Sequence, residues 1–293
     1  MSTFILLTIA GLGLGAVYFL VASGLSLIYG LMGVLNFAHG ALITIGAYSA
    51  WWFSGKVSGS AETTLLAGAA FALVVGAVIA AVIELVFIRP LYRRPLEQIL
   101  VTVGLALALG ALVVGIFGPE TKVMVVPSWM IDTTTVFGEP VPNDRFVEIA
   151  VAAVVLLGLV AFLRYTRFGL VIRAGVENRA MVTALGVDVQ RAFTLVFALG
   201  GALAALAGVL ANVYFASVDP GRGTSLLIYA FIVVVIGGFG SIGGAAAAGV
   251  AVALLQNYAN FYGTTGAGDM AVVVLLAVTL LFRPHGLAPK VAH

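Results

Sequence analysis

The chain has 293 residues, 62% of them hydrophobic and only 9% charged, with a formal net charge of +2. A soluble domain averages roughly 45–50% apolar and about 25% charged, so a chain this apolar is predicted to lie in a bilayer rather than to bury itself in a soluble core. The small charge gives no footprint for nucleic acid, and the absence of cysteine excludes disulfides, thiolate nucleophiles and Cys-ligated metals.

A helix that spans a bilayer needs about 20 apolar residues. The stretch from Met1 to Gly55 carries no Asp, Glu, Lys or Arg and is long enough for two spans, placed at Phe4–Tyr29 and Phe37–Phe53. The N-terminus has no basic leader, so the first segment is expected to be retained. Between these two segments lie Asn36 and His39, ringed by Gly30, Gly33 and Gly40. Each glycine weakens a helix by roughly 1 kcal/mol relative to Ala. The prediction is a deliberate helix break, with Asn36 capping the helix that begins near Phe37. His39 is expected to bond across to a second break at Gly237–Gly240, both groups acting as structure or as contacts on a transport path.

Further segments are predicted at Leu65–Ile88, Leu96–Phe117, Phe146–Leu163, Ala192–Phe215, Leu226–Gly240, Ala245–Phe261 and Met270–Phe282. The fold class is therefore all-α: one polytopic transmembrane domain over 1–293, of about eight to nine hydrophobic segments, some broken or re-entrant. Glu84 is an acid deep in a span. It is expensive there unless paired, with Arg89 one turn away as partner or, alternatively, with a proton-relay role. Residues 118–145 hold Pro119, Pro127, Pro140 and Pro142 among mixed charges and are predicted to be an ordered external loop of turns and short extended pieces. Arginines at 89, 93, 94, 164, 167, 173, 179, 191 and 283 place their loops and the C-terminus in the cytoplasm by the positive-inside bias. Nine crossings then put the N-terminus outside, and eight put it inside.

Small residues recur at four-residue spacing at Gly11 and Gly15, at Gly200, Ala204 and Gly208, and at Ala245, Gly249 and Ala253. Such seams let helices approach closely, within this chain or against a second membrane subunit. Gly33 to Ala41 echoes Gly237 to Ala245, the pattern that duplicated, pseudo-symmetric transporter halves leave at the midplane. Asn212, Gln256, Asn257 and Asn260 fall toward external span ends, as vestibule groups, as contacts for an external protein partner or as solvated interfacial residues.

Enzyme signatures are missing. No phosphate-binding G-x-x-x-x-G-K-[ST] is present, and His39, His285 and His293 are too scattered for a metal site. The segment Arg164 to Arg191 is too long for a simple turn. It alternates charge with apolar residues, and Ala174 to Leu185 is predicted to be a short amphipathic helix stopped by Gly186. It either lies on the headgroups or fits a partner's groove.

Three stretches carry a resemblance: Asn36-Phe-Ala-His-Gly40, the helix ending at Gly186, and Ile236-Gly-Gly-Phe-Gly-Ser-Ile242 before Gly244-Ala245. With Arg283-Pro-His-Gly-Leu287, they make the chain resemble the membrane permease subunits of bacterial branched-chain amino-acid ABC importers. Gly243 departs from the pattern, standing where many relatives carry Pro. The resemblance implies a multi-pass inner-membrane protein with no catalytic site or cofactor of its own. ATP would be bound by two separate cytoplasmic ATPase subunits. A homologous second permease would share the path, and an external binding protein would deliver Leu, Ile or Val. It implies path or helix-break roles for Asn36, His39, Gly40, Gly237, Gly238, Gly240 and Ser241, and ATPase coupling by Glu177, Asn178, Arg179, Ala180 and Gly186. Urea or short amides are alternative solutes within the family. An ion-coupled carrier using Glu84 and His39, or a passive channel, stands as the alternative from another class.

Overall fold

A computed structural model describes residues 2–177, 181, 182, 186, 188–283, 286 and 287. The order is α1 (Ser2–Met32), α2 (His39–Ser54), α3 (Ala61–Ile83), α4 (Pro95–Phe117), α5 (Ser128–Ile131), β1 (Thr133–Val136), β2 (Glu139–Pro142), α6 (Asp144–Tyr165), α7 (Arg167–Glu177), α8 (Val189–Phe215), α9 (Arg222–Gly237), α10 (Ile242–Tyr262) and α11 (Ala267–Phe282). Each predicted apolar segment is a helix. Among the described residues six helices are long and apolar enough to cross a membrane: α1, the extended α3, α4, α6, α8 and α10. The expected eight to nine crossings are not reached by that measure, because α2, α9 and α11 have 16 residues each. That is a few residues short of what a full crossing needs.

Helices α1 and α8 form the centre and are largely buried, whereas α4 and α6 are mostly exposed on the outside of the bundle. α1 packs antiparallel to α10: Asn257 donates to the Leu7 carbonyl at 2.7 Å near one end, and Gly30 lies against Gly240 at the other. Between these points a Cβ on Gly15 would come within 3.0 Å of Val250 Cα. α8 packs on α2 and α3, with Gly200 against Ile28 of α1 and Gly208 against the Ile43 carbonyl. The small-residue seams found in the sequence are thus used inside this chain, where missing side chains let backbones touch.

The loop between α4 and α6 carries regular structure. It holds the short helix α5 and the antiparallel hairpin β1–β2, whose two turn residues Phe137 and Gly138 both have positive φ, 49° and 89°. That is the backbone of a type I′ hairpin turn. The strand-like pairing of Lys122 with Val218 ties the loop to the end of α8. Loop 118–145, the α8–α9 turn and the start of α1 therefore share one end of the bundle. Residues 84–98, 164–177, 283, 286 and 287 lie at the other, where α1 ends.

Candidate functional site

The first helix break spans residues 33–38. Gly33 adopts φ +68°, a conformation that costs an L side chain about 1–2 kcal/mol. Two expectations fail here. α2 starts at His39 rather than near Phe37, its cap position is Ala38, and no side chain caps it. Asn36 lies too far upstream of the first turn to serve as cap; its amide is fully buried and, among the described residues, neither its Nδ2 nor its Oδ1 has a hydrogen-bond partner. His39 is also fully buried, and its Nε2 donates to the Val21 carbonyl of α1 at 3.0 Å rather than to the second break. The chain folds back after Gly33 and returns His39 to the level of Gly24, where a Cβ on Gly24 would stand 2.9 Å from His39 Cε1.

The second break spans residues 238–241. Gly238 and Gly240 have φ +96° and +77°, and Ser241 caps α10 through Oγ, which accepts from the Gly244 amide at 3.0 Å. The Leu287 amide donates to the Ile236 carbonyl at 2.8 Å, setting Leu287 beside this break. The second break lies against the last turn of α1, just before the first break. Gly30 packs on Gly240 with no room for a Cβ, and the Tyr29 and Phe239 rings are 4.4 Å apart. Gly40 and Thr44 line an apolar cavity of about 180 Å³ with Gly110 of α4 and Leu227 of α9. Asn36, His39 and Ser241 do not line it.

A larger cleft of about 620 Å³ opens at the loop end, between α1, α8, α9, α10 and the start of α11. Gln256, Asn257 and Asn260 line it as the sequence suggested, whereas Asn212 is turned away and donates to the Ala47 carbonyl at 3.0 Å. Tyr18 and Tyr229 stack at 4.8 Å on its floor, and Tyr18 donates to Gln256 Oε1 at 2.6 Å. Gln256 Nε2 in turn donates to Asp269 at 2.8 Å, and Tyr229 donates to the same carboxylate oxygen at 2.6 Å. Arg222 and Asp219 also line the cleft. Behind it, Arg145 lies 3.6 Å over the Tyr214 ring and contacts Asp144 at 3.4 Å and Glu148 at 3.5 Å. Sequence reasoning missed this group. Glu148 sits one turn inside a span and was indistinguishable from a solvated terminal acid, but its side chain is fully buried beside Gly13.

At the opposite end Glu84 is fully buried and fully engaged. Arg89 Nε and Nη2 each reach it at 3.3 Å, Thr194 Oγ1 donates to it at 2.8 Å, and the Tyr92 hydroxyl bonds it as well. The residues from Glu84 to Ile88 form a π-helical turn, with the Arg89 amide bonded to the Glu84 carbonyl. That i→i+5 register sets Arg89 beside Glu84. The partner expected from the sequence is present, and the network joins α3 to the first turns of α8. Helix α7 starts seven residues before the amphipathic helix expected at Ala174; Glu177 is its last residue, and Gly186 forms a turn with φ +79°. Asn178, Arg179 and Ala180 lie outside the described residues. Among the described residues no group of three or more His, Cys, Asp or Glu side chains is placed to hold a metal.

Apolar helices long enough to span, two helix breaks and a polar cleft at one end define a multi-pass membrane protein built around a discontinuous core. The particular family follows from comparison. Residues 7–282 match the model of the branched-chain amino acid transport system / permease component family, and the chain belongs to that family, one of transport permeases rather than enzymes. It is 30% identical over 287 residues to the high-affinity branched-chain amino acid transport system permease protein LivH of Escherichia coli K12, covering 94% of this chain and 92% of that one. It is 32% identical over 292 residues to the corresponding permease protein BraD of Pseudomonas aeruginosa, covering 94% and 93%. Similarity extends to a probable LivH of Methanocaldococcus jannaschii, 27% identical over 92% of this chain and 87% of that one. No solved structure gives a significant match.

Proposed function

We propose that the chain is the permease subunit of an ATP-driven importer of branched-chain amino acids in the inner membrane. The observation that carries this reading is similarity along nearly the whole length to LivH and BraD, whose names specify that transport. The partners are a homologous second permease that completes the path, two cytoplasmic ATPases and an external solute-binding protein. The arginine-rich end, with Arg89, Arg93, Arg94, Arg164, Arg167 and Arg173, faces the cytoplasm, and loop 118–145 faces outside. The segment from Glu177 through Asn178, Arg179 and Ala180 to Gly186 receives the ATPase. Its motion reaches the core through α8, whose first turns Glu84 ties to α3. The two breaks are the moving parts of the path, with Gly40 on its wall.

Uptake of labelled leucine into cells lacking the chain, with and without its restoration, tests the reading. Restoration should recover uptake. Arg179→Glu should abolish it while leaving the protein in the membrane. Membrane vesicles given a proton gradient but no ATP should accumulate nothing; accumulation there would overturn the importer reading.

A further inference from the structure

We propose that the 620 Å³ cleft at the loop end binds a zwitterionic α-amino acid, with Arg222 taking the carboxylate and Asp269 the ammonium group. The inference rests on the proposed function and gives it a site. Arg222 stands in the first turn of α9, 4.1 Å over the Phe215 ring, and its Nη2 donates to Ser217 Oγ at 2.9 Å. Its Nε is buried without a hydrogen-bond partner, and among the described residues no carboxylate lies within ion-pair distance of the guanidinium. A half-buried guanidinium whose nearest carboxylate, Asp219, acts on it only from beyond ion-pair distance is a costly arrangement, and its planar fork matches a carboxylate.

Asp269 is the complementary charge. One oxygen accepts from Tyr229 and Gln256, which fixes the carboxylate in place. The other has no hydrogen bond, and no cation pairs with Asp269, among the described residues. Asp219, the third charge in the cleft, is already committed to the turn before α9: it accepts from the Gly221 amide at 2.7 Å and from Thr121 of the loop at 3.4 Å. The Tyr18–Gln256–Tyr229 network holds the floor rigid beneath Asp269. Leu14, Leu226 and Phe215 supply an apolar wall. A cation outside ion-pair distance of any described carboxylate, an anion with one oxygen open and an aliphatic surface together correspond to an α-amino acid with a branched apolar side chain. A neutral amide such as urea can hydrogen-bond both groups but neutralises neither charge and leaves the apolar wall unfilled.

Equilibrium binding of labelled L-leucine to the full-length chain in lipid nanodiscs tests the site. The competitors are leucinamide, which lacks the carboxylate, and 4-methylpentanoate, which lacks the ammonium group. Each should compete about tenfold or more worse than leucine, the loss of one charge-assisted contact. Arg222→Gln should erase the preference for leucine over leucinamide only, and Asp269→Asn the preference over 4-methylpentanoate only. Arg222→Lys should keep part of the first. These are ratios, so a variant that merely folds poorly does not mimic them. Equal competition by all three solutes, or ratios unmoved by the variants, overturns the site even where cells take up leucine through this chain. Absence of that uptake instead overturns the transport reading. Uptake lost in Arg222→Gln with unchanged leucine selectivity would make the cleft a docking face for another protein and would also overturn the proposal.

Discussion

Glu84 shows at the residue scale how a charge survives in an apolar helix. Removing a carboxylate from water costs several kcal/mol unless its oxygens are satisfied, and here Arg89, Tyr92 and Thr194 satisfy them. Because Arg89 keeps about 30% of its side chain exposed, the pair is worth less than a wholly buried one. Glu84→Gln should lower stability by about 1–3 kcal/mol, read as thermal unfolding in detergent. Leucine uptake should keep its dependence on external pH, whereas a proton relay would flatten it. The partner was legible in the sequence because Arg89 lies only five residues on. The setting of Asn36 and His39 was not. Their residue types announced a polar interruption, but which backbone each would meet depended on how tightly the chain folds back after Gly33. Arg222 was legible only as a loop charge, since α9 begins four residues earlier than its apolar run.

Helix boundaries follow from punctuation that the sequence carries openly. Gly118 ends α4 with φ +85°, Gly263 follows α10, and Asp144 opens α6 within two residues of the predicted start. The echo between Gly33–Ala41 and Gly237–Ala245 likewise corresponds to two real helix breaks. Only one of them is capped by a side chain, that of Ser241. Ser241→Ala should therefore destabilise the start of α10 by about 1 kcal/mol, and Ser241→Gly by only a few tenths. A thermal-shift series on the purified protein measures both. Equal losses in the two variants would show that the hydroxyl matters for something other than the cap. The π-turn after Ile83 left no mark in the apolar pattern; only the five-residue spacing of Glu84 and Arg89 hinted at it.

At the scale of the whole molecule, the arrangement of helices around α1 and α8 was not readable, because every segment is apolar on all sides and burial leaves no periodic signature. Which segments are central is decided by seams such as Gly15 on Val250 and Gly208 on Ile43. Sidedness is testable because the chain has no cysteine of its own. A single cysteine at Ser58 or Asp132 should react with a membrane-impermeant thiol reagent on intact cells, and one at Arg94 only after the membrane is opened. The reverse pattern would invert the topology. Gly30 and Gly240 touch backbone to backbone. Side chains act as cushions that take up small displacements by changing rotamer; where none intervenes, that slack is gone. The ends of α1 and α9 accordingly share a single pivot, and neither can swing inward unless the other yields at the same moment.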